Sequence, residues 1–458
     1  MEKSKDIFIA FYGDDFTGST DALEFLSKAG AKTVLFLDNP TEEQIDQFED
    51  IDAIGVAGMT RAMPPAEMAS TLKVAFESLK ALQAKHVHYK VCSTFDSSPE
   101  IGNIGTAIET GQSIFENEFT PVLAAAPNLG RYSAFGHLYA RMGIGSQGEI
   151  YRLDRHPSMS KHPTTPADES DLRKHLARQI EAKMGLIDLV DLSGMDGGAE
   201  KLDELIDDEN KIIFFDAMYE NQMAGIGEVL DAKASEKTLF SVGSSGIEKA
   251  LGDHWANLGQ LQERTDWENI TEQEAILVLS GSVSPVTADQ INYAVTNGFV
   301  EISVEVDSLC DQGLALTYSD KIEQLLASGK SVILHTCKGP DDPRLGQSKA
   351  YFQTLGLDEL GIRSETAKRF GSLLGKAARI ALKKVPVQRL VIAGGDTSSY
   401  VARQLGIDAV EMIAPIYSGA PLCRAYAKGS PVDGIEVNLK GGQVGDKRYF
   451  ETLRKGRI

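Results

Sequence analysis

Gly13-Asp-Asp-Phe-Thr-Gly18 sets two adjacent carboxylates, Asp14 and Asp15, directly after the apolar run 7–12. An amphipathic stretch with Leu23, Phe25 and Leu26 follows, so the pattern predicts a strand, a tight turn and a helix. Ligands of open α/β sheets bind outside the carboxyl ends of the strands, which makes Asp14 and Asp15 candidates for proton transfer. The competing role is to cap the helix and favour its positive end, for which one acid would suffice. An aspartyl-phosphate mechanism is excluded by spacing. Asp15 and Thr17 fit the later places of a haloacid-dehalogenase-type loop, but Gly13 stands where its nucleophile would be.

Other apolar runs also end in reactive side chains. Gly58-Met-Thr-Arg61 delivers a guanidinium, and His88-Tyr-Lys-Val-Cys-Ser-Thr-Phe-Asp-Ser-Ser98 delivers Lys90, Ser93, Thr94, Asp96 and Ser97. Arginine recognises a carboxylate through paired bonds, lysine supplies a compact charge, and hydroxyls with an aspartate suit a polyhydroxylated ligand. An Arg–Asp ion pair holding two loops together is the alternative.

Arg389-Leu-Val-Ile-Ala-Gly-Gly-Asp-Thr-Ser-Ser399 reads as a buried strand, two glycines (Gly394, Gly395), then Asp396 and Thr397 opening a helix. Glycines let a phosphate approach the backbone, and free N–H groups at a helix start bind anions. A tight turn capped by Asp or Thr is the plainer reading. Val278-Leu-Ser-Gly-Ser-Val-Ser-Pro285, with Ser282, repeats the construction before a helix over 286–297, and Lys440-Gly-Gly-Gln-Val-Gly445, with Gly442, is a third glycine loop. Together they predict a nucleotide cradle outside the P-loop class.

Two glycine patterns are decoys. Gly143-Ile-Gly-Ser-Gln-Gly148 spells a dinucleotide motif but opens no clear helix; Gly371-Ser-Leu-Leu-Gly-Lys376 is one residue short of a Walker A loop, ends in Ala377 and lies inside a helical pattern. His156 and His162 flank Pro157 with no third ligand in view, which is poor zinc spacing, so no metal-ligating residues are assigned. His86 and His88 read as ordinary strand positions.

The elements that must position these residues alternate regularly. Apolar runs at 7–12, 33–37, 53–59, 122–127, 211–217, 275–280, 331–337 and 389–393 are interleaved with helix-period stretches at 67–85, 168–183, 287–297 and 363–384. Strand–helix alternation predicts an α/β fold with mainly parallel sheets flanked by helices. At 458 residues, two domains are expected, with 42% hydrophobic content to fill both cores. The polar stretch 259–274 predicts a linker between domains 1–258 and 275–458, with the active site in the interdomain cleft. A net charge of −20 argues against nucleic acid and anionic membrane surfaces. Four scattered cysteines, no signal peptide and no membrane span predict a soluble cytoplasmic protein with reduced thiols. The oligomeric state is left open, a homodimer included.

As an ordered set, Gly13–Gly18, Thr60-Arg61, Tyr89–Thr94, residues 156–166, Ser280–Pro285, Gly394–Thr397 and Lys440–Gly442 resemble the four-carbon acid sugar kinase family. That family joins an N-terminal sugar-acid-binding domain to a C-terminal nucleotide-binding domain. The resemblance implies ATP-dependent phosphorylation, with Mg²⁺ bridging the phosphates, of a hydroxyl on a tetronate or 3-oxo-tetronate. It makes Asp15, Arg61, Lys90 and Ser93 substrate contacts, and Ser282, Gly394, Gly395, Asp396, Thr397 and Gly442 nucleotide contacts. The family's substrate loop usually reads Lys-x-Asp-Ser-Thr-Leu-Arg-Gly, whereas Cys92 stands at the Asp and Asp96 at the Arg here. Exchanging a cation for an acid should move ligand choice, toward a branched or ketonic acid such as 3-oxo-isoapionate. A non-catalytic sugar-acid sensor with nucleotide as effector is the rival reading, and an oxidoreductase using 143–148 a third.

Overall fold

The computed structural model describes residues 7–142, 148–162, 164–194, 196–235, 237–309 and 313–456. It divides into two compact units, Met1–Thr265 and Asp266–Ile458. The strands of the first unit are β1 (Ile9–Gly13), β2 (Thr33–Phe36), β3 (Ala53–Ala57), β4 (His86–Lys90), β5 (Thr120–Leu123), β6 (Arg131–Ala134), β7 (His137–Arg141), β8 (Ile150–Arg152), β9 (Met184–Ile187), β10 (Ile212–Phe215) and β11 (Leu239–Gly243). Its main sheet runs β2-β3-β1-β4-β11-β5-β10-β9, and every pairing in it is parallel. β1, β3 and β4 are buried along their whole length, as strands covered by helices on both faces must be. Phe76 of the helix Pro65–Ala81 fills one face, meeting the rings of Tyr12, Tyr89, Phe115 and Phe240. β6, β7 and β8 form a separate antiparallel meander.

The connections reverse direction at β1. The helix Ser19–Ala29 carries the chain from β1 outward to β2, while the helix Pro65–Ala81 carries it from β3 across β1 to β4. This is a topological switch point, where a crevice opens at the carboxyl ends of the strands.

The second unit repeats the arrangement. Its strands are β12 (Leu277–Ser280), β13 (Val300–Ser303), β14 (Val332–His335), β15 (Arg389–Ala393), β16 (Ala409–Tyr417), β17 (Ala420–Tyr426) and β18 (Glu436–Lys440), in the order β13-β14-β12-β15-β18-β17-β16. β13, β14, β12, β15 and β18 pair in parallel, and β17 and β16 add an antiparallel margin. The connection from β12 leads out to β13, and that from β14 crosses β12 to reach β15, so β12 holds the position of β1.

The helix expected over 168–183 is only Leu172–Leu176. Asp171 caps it, and Gln179 leaves the helical path to accept from the Ile104 amide at 2.8 Å and donate to Ser97 Oγ at 2.9 Å. Tertiary hydrogen bonds outweigh helix propensity there. The stretch 259–274 contains no helix or strand but is tied down, Arg264 N to Lys28 O, Glu268 N to Ile413 O and Gln273 N to Arg454 O. Among the described residues, no helix is long and apolar enough to cross a membrane.

Candidate functional site

Three adjacent strands end in the residues that the spacing singled out. Asp14 and Asp15 follow β1, Arg61 lies in the turn after β3, and Lys90 closes β4. The backbone pins them together, with Asp14 N donating to Lys90 O at 2.8 Å and Arg61 N donating to Asp14 O at 3.0 Å. The Arg61 guanidinium grips Asp14 with two bonds, Nε to Oδ2 at 3.0 Å and Nη2 to Oδ1 at 2.7 Å, and Nη2 also reaches Asp15 Oδ1 at 2.9 Å. Asp15 Oδ1 accepts from the Gly18 amide at 2.9 Å, and Oδ2 from Thr17 Oγ1 at 3.1 Å. The Lys90 ammonium is buried against Asp21 Oδ1 at 2.9 Å, and Ser245 Oγ donates to the other Asp21 oxygen at 3.0 Å.

The two carboxylates are therefore unequal. Asp14 spends both oxygens on Arg61, and its side chain is 4% exposed, against 12% for Asp15. Burial pushes the Asp14 carboxyl above the ordinary aspartate value, against the pull of Arg61. Burial disfavours the Lys90 ammonium, yet Asp21, Asp15 and Asp14 together hold its proton more tightly than usual. Arg61 behaves likewise, with Asp14 and Asp15 outweighing its desolvation. Both cations predicted from spacing are thus already paired within the protein, the ion-pair arrangement weighed for Arg61.

Ser93, Thr94 and Asp96 sit on the loop after β4. Thr94 Oγ1 lies 3.0 Å from Cys92 Sγ, and burial pushes that thiol up to about 11, leaving it neutral. Thr94 and Asp96 line a small cavity with Thr165, Glu169 and His175. His156 Nδ1 accepts from the amides of Ser158 and Met159, and His162 Nδ1 from that of Thr165, so both rings fasten turns. His86 and His88 each face a buried acid, Asp231 at 3.1 Å and Glu248 at 2.6 Å.

In the second unit the glycine loops converge at the ends of β12, β15 and β18. Gly281 N donates to Ala393 O at 2.9 Å and Gly394 N to Lys440 O at 3.0 Å, stitching the three together. Thr287 Oγ1 joins Ser282 Oγ at 3.0 Å, Gly442 O at 2.9 Å and Lys440 Nζ at 3.1 Å. Gly394 has φ +145°, and a Cβ at Gly442 would stand 2.8 Å from Ser282 Oγ. Gly395 is exposed with open space above it and caps the helix Asp396–Leu405 with no side chain, so the helix's first amides face outward beside Asp396 and Thr397. Asp396 is met by Arg363 Nη2 at 3.3 Å.

Asp21, Thr287 and Lys440 were missed from sequence. Lys440 carried a signal in immediately preceding Gly-Gly, but nothing local shows that its ammonium is buried with no carboxylate partner among the described residues, where desolvation pulls it down to about 7. The Walker-like Gly371–Lys376 lies within the helix Glu359–Leu382, where Gly371 and Gly375 let Tyr400 and Gln404 of the neighbouring helix approach. Residues 143–147 of the dinucleotide-like motif fall outside the described residues.

A family model described as a sugar-binding N-terminal domain matches residues 9–251, and one described as a nucleotide-binding C-terminal domain matches residues 277–450. The chain belongs to the four-carbon acid sugar kinase family. It is 40% identical over 457 residues to the 3-oxo-isoapionate kinase of Paraburkholderia graminis, covering 99% of this chain and 95% of that protein. The 3-oxo-tetronate kinase of Pseudomonas savastanoi pv. phaseolicola is 27% identical over 447 residues, 96% of this chain and 95% of its own. A solved structure from Salmonella typhimurium LT2 shares the fold over 99% of this chain and all of that one, with a TM-score of 0.76 at 25% identity.

Proposed function

We propose that the protein is an ATP-dependent kinase of a small ketonic sugar acid, with 3-oxo-isoapionate the first candidate and 3-oxo-tetronate the second. Identity of 40% along almost the full length of a 3-oxo-isoapionate kinase carries this reading. The altered loop agrees with it, since Cys92 and Asp96 stand where the resemblance expects an acid and a cation.

In this reading the acid lies against the carboxyl ends of β3, β1 and β4. Asp15 accepts the hydroxyl proton, being the more exposed carboxylate and held in place by Gly18, Thr17 and Arg61. Asp14 is a positioning residue, since it locks the guanidinium that in turn aims Asp15. Ser93 and Thr94 supply hydroxyls to a polyol. The phosphates of ATP rest on the glycine loops, with the open helix start at Gly395–Thr397 donating amides and the Ser282–Thr287–Gly442–Lys440 network fixing the loops' spacing. Mg²⁺ would neutralise phosphate charge, and Asp396 at the exposed helix start is a carboxylate able to face it. Transfer requires the hydroxyl and γ-phosphate to meet in line with water excluded. A cytoplasmic location, where ATP is abundant, fits the reading.

Coupled ADP release with Mg-ATP tests it across 3-oxo-isoapionate, D- and L-3-oxo-tetronate, threonate, erythronate and apionate-derived acids. Saturable turnover with a ketonic acid is the expected result. Binding of both nucleotide and acid without ADP formation would establish the sensor instead.

A further inference from the structure

Recognition of a sugar acid needs a cation that the protein has not already neutralised. Arg61 is committed to Asp14 and Asp15, and Lys90 to Asp21. Arg131 is in a different state. It opens β6 just beyond the carboxyl end of β5, where Ala126 and Arg131 exchange two backbone hydrogen bonds at 3.0 and 3.1 Å and fold the loop back over that end of the sheet. Its residue is 7% exposed, and among the described residues no carboxylate lies within ion-pair distance of it. Nη1 donates to the carbonyls of Leu129, Gly130 and Arg141 at 3.2–3.3 Å, which fixes the guanidinium plane. Nε is buried with no partner among the described residues, and on the same loop Asn128 Oδ1 is buried with none among them either.

A buried, unpaired guanidinium is costly, and its remaining donors ask for an anion. The groups whose field it feels are Cys92, Asp96 and Tyr132. Cys92 also lies in the field of Arg61, so the loop after β4 is close to both guanidinium groups. At this point in the loop Cys92 is a thiol held neutral, so it brings no charge of its own toward Arg131.

We infer that Arg131 binds the carboxylate of the acid substrate, with Asn128 Oδ1 accepting from an adjacent hydroxyl, so that the acid spans from Arg131 to Asp15. This rests on the kinase reading for the identity of the ligand, not for the need of an anion. The purely structural alternative is that Arg131 serves only to clamp the three carbonyls.

The test uses Arg131→Gln and Arg131→Lys in the full chain, with 3-oxo-tetronate and its neutral carboxamide as paired substrates and melting temperature as the folding control. Loss of a charge-assisted contact should raise KM for the acid on the order of 10–100-fold in Arg131→Gln. KM for ATP should hold, the acid-over-amide preference should collapse, and Arg131→Lys should keep part of that preference. An unchanged acid-over-amide preference in Arg131→Gln, whether or not melting falls, overturns the assignment. Calorimetric titration of D-threonate into wild type and Arg131→Gln separates the two proposals. Arg131-dependent binding without any turnover sinks the kinase reading and keeps the carboxylate site; turnover with Arg131-independent selectivity does the reverse.

Discussion

The two units place their candidate sites at the same topological position and build them from opposite materials. At β1 the candidate site gathers acidic and basic side chains, Asp14, Asp15, Arg61 and Lys90, the first three restrained by one another and Lys90 by Asp21. At β12 it is built from backbone, with Gly281, Gly394 and Gly442 packing the loops closely, Gly395 facing open space, and the hydroxyls of Ser282 and Thr287 bracing the loops. A triphosphate brings its own dense charge, and amides suffice to meet it. A small polyol acid offers little surface, so its discrimination depends on side chains with fixed protonation and direction. The contrast recurs along single strands. β4 ends in Lys90 at the candidate site, while at its start His86 joins Lys85 and Trp255 around Asp231, at 3.1, 2.7 and 3.0 Å. One end of the strand reaches the candidate site and the other is held by a buried ion-pair hub.

The sharpest way to break the contrast is Asp15→Asn, which keeps an acceptor for the Gly18 amide but removes the base. Turnover should fall by on the order of 10²-fold or more with KM for ATP unchanged; steady-state kinetics giving near-normal kcat would remove Asp15 from the mechanism. Next is Gly281→Ala, whose methyl would stand 2.6 Å from Thr397 Cβ and force the β12 and β15 loops apart. Overpacking of about 1–3 kcal/mol predicts roughly a 10–100-fold rise in KM for ATP. Calorimetry should find acid binding unaltered, and a matching loss of acid affinity would show that the two sites are not separable.

Asp231→Asn probes the stability end of β4. The buried hub loses its charge, and denaturant unfolding should show a loss of about 2 kcal/mol with kinetic parameters intact. The smallest effect belongs to His335, whose Nδ1 lies 3.3 Å from Arg344 Nη2 and whose Nε2 lies 3.3 Å from Glu301. Burial and then the neighbouring Arg344 draw its pKa down to about 4. Because the unfolded chain binds this proton first, its contribution is present above pH 6.5 and fades as pH falls toward 4. His335→Asn should flatten that part of the stability–pH curve by about 1–2 kcal/mol; an unaltered slope would place the acid sensitivity elsewhere.

Much of this was legible locally. The strand at 389–393 matches β15 residue for residue, and the glycine loops fall where composition put them. Glycine, proline and apolar period report on backbone conformation, which neighbouring residues largely dictate. The failed helix at 168–183 and the overlooked β16–β18 ladder depend on partners far away in the chain, such as Gln179 with Ser97 and Ile104. Candidate side chains were legible by type, but their commitments were not. Arg61 and Lys90 were both read as candidate contacts for an acid, with an Arg–Asp ion pair as the alternative, and each proves to be bound to an acid contributed by the β1 loop or the helix after it.

The sequence by itself determined the α/β class, the division into two units, and the turns that carry Asp14, Asp15, Arg61 and the glycine loops, because each is set by short-range patterning. Only the tertiary structure decided which charges cancel. Ion pairing depends on distances of a few ångströms between residues tens to hundreds of positions apart, and burial fixes what an unpaired charge costs. That is why Asp14 and Asp15, adjacent and chemically identical in the sequence, differ in the fold, and why Arg131, unremarked in the sequence, proves to be a buried cation with no acid within ion-pair distance among the described residues.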